Sequence, residues 1–210
     1  MANAQSPLTL GAILYENFEL LDFYGPLEMF GYTGPELRII TVAQQAGEIA
    51  STQGPKAVAQ YGFADCPSLD LILLPGGIGT WAELNNEAML KFLYQRAATA
   101  RVTMSVCSGS AILAQAGLLD GRRATTNKQF FKNLTSSHKK VVWVEQARWV
   151  EDGNMVTASG VSAGMDMALA VIARLFGKER ADSIAAFTEY EWHQDPTWDP
   201  FVKYLDMGEL

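Results

Sequence analysis

The sequence predicts an α/β fold: a mostly parallel sheet covered by helices on both faces. Three observations lead there. Continuously apolar runs of strand length recur along the chain, segments with helical apolar spacing separate them, and glycine or proline punctuates their ends. A strand buried on both faces is apolar throughout, so its run is continuous rather than alternating.

The elements follow in order. Residues 8–15 read as a first buried strand, too short for a core helix. After a loop from Glu16, Pro26 is placed to start a helix through Phe30, where its missing N–H costs nothing. Residues 38–42 read as a second strand, and the small, polar stretch 44–63 as a hairpin or irregular strands. Residues 69–74 form another buried strand, stopped by Pro75-Gly76-Gly77. A helical pattern covers about 82–98, a strand 101–106, and a further helix follows. Residues 148–157 read as a hairpin turning at Asp152-Gly153. Ser162 then caps a helix over 163–176, which Gly177 ends. A last helix is expected over about 179–191, and the tail from Trp192 reads as mostly irregular. With no repeat, linker or low-complexity tract, one domain over 1–210 is expected.

Composition narrows the function classes. The chain has 210 residues, 49% of them hydrophobic, enough for a sizeable core. A formal charge of −7 disfavours binding to a phosphate backbone, so no nucleic-acid partner is expected. Two cysteines, Cys66 and Cys107, imply no disulfide framework and fit a reducing cytosol. Residues 1–7 lack the basic and apolar regions of a signal peptide, and no apolar run is long enough for a bilayer. A soluble cytoplasmic protein without a membrane partner is the expectation.

The densest chemistry lies in Thr103-Met-Ser-Val-Cys107-Ser108-Gly109. A β-prone run ends at a cysteine, and a glycine two residues later opens an apolar helical pattern. That is the layout of a nucleophile elbow, which exposes the side chain on a strand-to-helix turn. N–H groups at the helix start, with the helix dipole, would favour thiolate over thiol. A buried core cysteine is the competing reading.

In an open α/β sheet, ligands bind beyond the carboxyl ends of the strands. The loop 16–26, Pro75-Gly76-Gly77 and Cys107 all fall at such ends, so distant segments converge on one crevice. Gly76 or Gly77 could turn an amide toward a ligand and, with the Ser108 N–H, form an oxyanion hole. A plain strand-to-helix turn is the alternative. Asp22 interrupts the apolar stretch 18–24, and a carboxyl in such surroundings can serve as acid or base near neutrality. Capping a helix at Pro26 is its alternative role. Glu16 and Glu19 are expected to face solvent.

Several of these segments resemble successive motifs of the ThiJ/PfpI superfamily. They are Phe18-Glu-Leu-Leu-Asp22-Phe-Tyr-Gly25-Pro26, Leu74-Pro-Gly-Gly77, Ser105-Val-Cys107-Ser-Gly109, Ala116-Gly-Leu-Leu-Asp-Gly-Arg-Arg-Ala-Thr125 and Val161-Ser-Ala-Gly-Met-Asp166-Met-Ala-Leu. The resemblance covers nearly the whole chain. It implies a flavodoxin-like three-layer sandwich related to class I glutamine amidotransferases, commonly a homodimer. The Leu-Asp-x-x-Gly-Pro loop with Cys-Ser-Gly is most similar to the isonitrile hydratase branch. That similarity implies a Cys107 nucleophile, an Asp22 acid/base and an adjacent Ser108 hydroxyl, with Gly76, Gly77 and Gly109 at the substrate, acting on a small molecule without cofactor or metal. Ser108 stands where that branch has threonine. Where many relatives continue two threonines with His-Trp, this chain reads Thr125-Thr126-Asn127-Lys128, so no histidine role carries over.

Without a histidine beside the cysteine, peptidase chemistry is disfavoured. An amidase- or glyoxalase-type hydrolase on the same thiol is one alternative, and a redox sensor or ligand-binding regulator another. Relatives fused to a helix-turn-helix domain act as regulators, and no such segment is read before Leu210. Elsewhere the expectations are structural. Cys66 reads as a loop thiol. Lys128, Lys132, His138, Lys139 and Lys140 read as a solvated basic stretch, and His193 as a surface residue. Glu189, Glu191, His193 and Asp195 match no metal-ligand spacing. Trp143, Trp149, Trp192 and Trp198 read as core or dimer contacts, and Asp166 as a structural residue near a helix N-terminus.

Overall fold

The computed structural model describes residues 6–205. Residues 1–5, on which part of the leader reading rests, and 206–210 lie outside it. The chain runs β1 (Leu8–Ile13), α1 (Leu20–Gly31), β2 (Leu37–Ala43), β3 (Gly47–Ala50), β4 (Lys56–Ala59), β5 (Tyr61–Gly62), β6 (Leu71–Leu74), α2 (Thr80–Glu83), α3 (Glu87–Ala97) and β7 (Val102–Val106). It continues with α4 (Gly109–Gln115), β8 (Arg123–Ala124), α5 (Phe131–Thr135), β9 (Val142–Trp143), β10 (Trp149–Asp152), β11 (Met155–Ala158), α6 (Ala163–Phe176), α7 (Lys178–Phe187) and a 3₁₀ turn over Pro200–Tyr204.

Seven strands form the main sheet in the order β10-β11-β7-β6-β1-β2-β5. Every neighbouring pair is parallel except the β10–β11 hairpin. From β1 the chain steps outward to β2, then returns to β6 on the other side of β1. The β1–β6 boundary is therefore the topological switch, where the crevice of such a sheet opens. Strand alternation supplies two cores. Leu71 and Leu73 face one with Met29, Phe30 and Met167, while Ile72 and Leu74 face the other with Phe92, Leu93 and Ile112. Each fully buried side chain of this size contributes about 1.5–3 kcal/mol. Among the described residues no helix is long and apolar enough to cross a membrane.

Local readings need correction in five places. The last helix stops at Phe187, short of the expected 191. The first helix starts at Leu20, leaving Pro26 inside it. Tertiary contacts override the proline's local preference here. The Glu19 N–H donates to the Gly76 carbonyl at 2.8 Å, which pins the chain just before the helix. The Pro26 ring rests on α6 where a Cβ on Gly164 would come within 3.1 Å of it. The pattern over 82–98 is two helices, because the Asn86 side chain accepts the Met89 N–H and caps α3. The hairpin loop is Gly153-Asn154, one residue later than read, with Gly153 at φ 63°. Ser162 occupies the N-cap position of α6 without a side-chain cap; its hydroxyl accepts from Arg148 instead.

Candidate functional site

The β7–α4 turn is a strained strand-to-helix corner. Cys107 has φ 55°, a region that side chains other than glycine rarely adopt. Its surroundings hold it there. The Cys107 N–H donates to the Ser159 carbonyl at 2.8 Å, and its own carbonyl accepts from the Ser110 and Thr126 hydroxyls. Gly109 has a packing reason: a Cβ would lie 2.6 Å from the Pro75 oxygen and 2.7 Å from that of Leu74. Bare backbone lets α4 begin against the end of β6.

Asp22 reaches the same corner from the first turn of α1 and is fully buried. Its Oδ2 accepts the Gly76 N–H at 2.8 Å, while Oδ1 has no hydrogen-bond partner among the described residues. The carboxyl faces the Cys107 thiol closely enough for each to perturb the other. Burial holds the Asp22 carboxyl well above the usual carboxylate range; the Gly76 N–H pulls the other way, and the charge of Glu19 adds to the rise. The rise favours the protonated carboxyl, and Oδ1 is the oxygen placed to carry the proton.

The thiol departs from the expectation of a resting thiolate. Burial pushes it well up, and negative charge at Asp22 would push it further; the Ser108 N–H and the Asn127 side chain pull it down. At 8% exposure, and with only seven residues in α4, desolvation outweighs the helix dipole.

Ser108 does not cap α4. Its Oγ accepts the Gly77 N–H at 3.0 Å and lies 2.8 Å from Thr80 Oγ1, which is 3.1 Å from the Tyr15 hydroxyl. Tyr15 in turn donates to the Pro75 carbonyl. Both glycine amides proposed for an oxyanion are therefore engaged by side chains, Gly76 by Asp22 and Gly77 by Ser108. Their geometry matters all the same: a Cβ on Gly76 would lie 2.7 Å from the Ser108 nitrogen and 2.9 Å from Asp22 Oδ2. Sequence reasoning missed Tyr15, Thr80 and Asn127 as neighbours of this corner. Only Asn127 carried a signal, and it was read as a missing histidine.

Other residues lie outside this hydrogen-bonded corner, although the charge of Glu19 reaches it. Glu16 is exposed and accepts the Ala50 N–H; Glu19 is half-buried and bonded to Gln53. His138 is half-buried with both ring nitrogens engaged, by the Leu134 carbonyl and by Gln115, and His193 stacks on Trp198. Lys128 contradicts the solvated reading. It is buried, bonded to Thr125, the Thr126 and Ala147 carbonyls, and paired with Asp199 at 3.4 Å. Desolvation lowers its ammonium to about 8 although Asp199 opposes that. Lys132, Lys139 and Lys140 are exposed as expected. Cys66 is buried, and burial raises its thiol. Asp166 is fully buried against Arg148, and the Tyr190 hydroxyl and the His193 N–H also donate to it. Among the described residues no three His, Cys, Asp or Glu gather as metal ligands.

Comparison with known proteins decides the family. The model of the DJ-1/PfpI family matches residues 12–174, most of the chain. The chain is a DJ-1/PfpI protein. Among relatives of this DJ-1/PfpI chain, an isonitrile hydratase of Pseudomonas putida is 34% identical over 183 residues, 87% of this chain and 78% of that one. The HTH-type transcriptional regulator GbdR of Pseudomonas aeruginosa is 29% identical over 192 residues, and the matched part spans 52% of the regulator's length. A crystal structure of a ThiJ/PfpI family protein from Pseudomonas syringae superposes with a TM-score of 0.82 at 32% identity, covering 92% of this chain and 78% of that one.

Proposed function

We propose that this DJ-1/PfpI protein adds water to organic isonitriles, giving N-substituted formamides, with Cys107 as nucleophile and Asp22 as proton carrier. One observation carries the reading: a fully buried carboxyl beside the elbow cysteine, one oxygen held by Gly76 and the other without a hydrogen-bond partner among the described residues. Similarity to an isonitrile hydratase supports it.

An isonitrile, R–N≡C, has a basic terminal carbon and no acidic proton, so it asks the site for a proton and a nucleophile on one atom. Asp22 Oδ1–H protonates that carbon. Cys107 sulfur bonds to it as the thiol proton passes to the Asp22 carboxylate, giving the thioimidate R–N=CH–S–Cys107. Water then adds to the same carbon, giving one proton to Asp22 while the imine nitrogen takes the one Asp22 held. The C–S bond breaks as the hydroxyl proton returns to sulfur, leaving R–NH–CHO and the free thiol. Each proton leaving Asp22 is replaced, so the neutral acid is regenerated. Gly76 holds the carboxyl in place. The Ser108 hydroxyl, tied to Gly77 and Thr80, orients the water. No cofactor enters, and a second copy of the chain is expected to pair with the first, which sedimentation of the purified protein tests.

The experiment is to incubate purified protein with several alkyl isonitriles and measure formamide. Turnover lost in Cys107→Ala and Asp22→Asn is the expected result; no formamide from any isonitrile contradicts the reading.

Similarity to GbdR favours a second reading, a regulator sensing a ligand or oxidant at the same cysteine. Mild peroxide should then convert Cys107 selectively to sulfinic acid. Its burial and raised thiol weigh against rapid oxidation.

A further inference from the structure

The loop after β8 is fastened to the backbone of the elbow cysteine. We propose that Asn127 is a catalytic residue of this site, a non-basic donor whose Nδ2–H meets Cys107 sulfur and holds its charge as the thiol gives up its proton. The proposal rests on the reading above in taking Cys107 as the nucleophile.

The backbone fixes which end of the amide faces the sulfur. Asn127 Oδ1 accepts the Phe130 N–H at 3.1 Å, so the oxygen is turned into its own loop and the NH₂ is left for Cys107. Gly160 neighbours the amide: a Cβ there would be in ordinary contact with Nδ2 at 3.5 Å. The loop itself is fastened to the elbow. Thr126, the preceding residue, donates its hydroxyl to the Cys107 carbonyl at 3.0 Å. Lys128, the following residue, is anchored to Thr125, the Thr126 carbonyl, Ala147 and Asp199. An amide held on both sides loses little freedom when it meets the sulfur, so the contact is preorganised.

Charge around the sulfur explains the need for such a donor. Glu19, just before α1, raises the thiol, an ionised Asp22 would raise it further, and its charge is coupled to that of Tyr15, two residues beyond β1. Lys128 spends its ammonium on Asp199. The Ser108 N–H and the Asn127 amide are the groups that favour sulfur anion. An amide donates but takes no proton at neutral pH. It therefore stabilises the anion without competing with Asp22 for the proton, which suits a reaction whose first step protonates carbon.

The test reads the thiol directly, independent of substrate. The pH dependence of Cys107 alkylation by iodoacetamide, followed by peptide mass spectrometry to separate it from Cys66, is compared among parent, Asn127→Leu and Asn127→Asp. The aspartate variant is nearly isosteric and keeps an acceptor for the Phe130 N–H, and thermal melting checks that both variants fold. Loss of one hydrogen bond to a charged group should move the alkylation profile up by about one pH unit in Asn127→Leu, a tenfold lower rate at neutral pH. The shift should be larger in Asn127→Asp, where a carboxylate replaces the donor. Asn127→His restores an N–H and should bring the profile back toward the parent. Superimposable profiles in folded Leu and Asp variants would overturn the proposal. Isonitrile turnover is measured on the same samples: shifted alkylation in a parent that makes no formamide rejects the hydratase reading and keeps Asn127 as the sulfur's donor.

Discussion

Two buried aspartates stand in the first turns of two helices that pack on one another, and they are built in opposite ways. Asp166 in α6 meets a guanidinium from Arg148, a phenol from Tyr190 and a backbone N–H from His193. Asp22 in α1 meets one backbone N–H and faces a thiol, and one of its oxygens has no hydrogen-bond partner among the described residues. Both are fully excluded from solvent. Residue type, burial and helix position are the same, so what sets the two apart is their partners. A cation turns a buried carboxyl into a structural joint, and the lack of one raises the carboxyl's pKa and favours its protonated form.

The largest expected effect breaks this comparison on the Asp22 side. Asp22→Asn should lower isonitrile turnover by roughly 10²–10⁴-fold, the range for a general acid/base, and leave the fold intact. Kinetics and melting measured on one preparation check both halves. On the Asp166 side the consequence falls on stability instead. Arg148→Met leaves a buried carboxylate without its cation and should cost about 3–5 kcal/mol in urea unfolding.

A third prediction uses pH. Burial raises the folded-state pKa of Asp22 above its unfolded value, so between those values the folded chain binds more protons than the unfolded one. Stability contributed at Asp22 is then present at low pH and is lost as pH rises through that window, with a slope of at most about 1.4 kcal/mol per pH unit. Asp22→Asn should melt above the parent at alkaline pH, and the gap should close on acidification. A gap that is constant with pH would mean that Asp22 titrates like an unfolded carboxyl.

Much of the Asp22 side was legible in the sequence. A carboxyl interrupting an apolar stretch, a glycine pair after a buried strand, and a cysteine two residues before a helix-opening glycine are local patterns with few physical explanations. The helix around Asp22 was not legible, because Pro26 looks like a helix start until its ring is seen against Gly164. Lys128 was misread for a similar reason. Its neighbours in sequence, Thr125 to Gln129, are polar, while its ion-pair partner, Asp199, lies far along the chain. Tyr15 and Thr80 gave no signal, since a tyrosine closing a strand and a threonine opening a short helix are ordinary until their hydroxyls meet Ser108.

The smallest effect tests that hydroxyl chain. Thr80→Val removes a hydroxyl within hydrogen-bond distance of both Tyr15 and Ser108, and should cost about 1 kcal/mol of stability. Turnover should fall only a few-fold, because Ser108 keeps the Gly77 N–H.

The protonation state of Asp22 is open to direct measurement. An infrared difference spectrum between parent and Asp22→Asn at neutral pH isolates the carboxyl that the substitution removes. A protonated-carboxyl stretch present in the parent and missing from the variant is the predicted result. A difference carrying only carboxylate bands would contradict the account, since an ionised Asp22 has no proton to give.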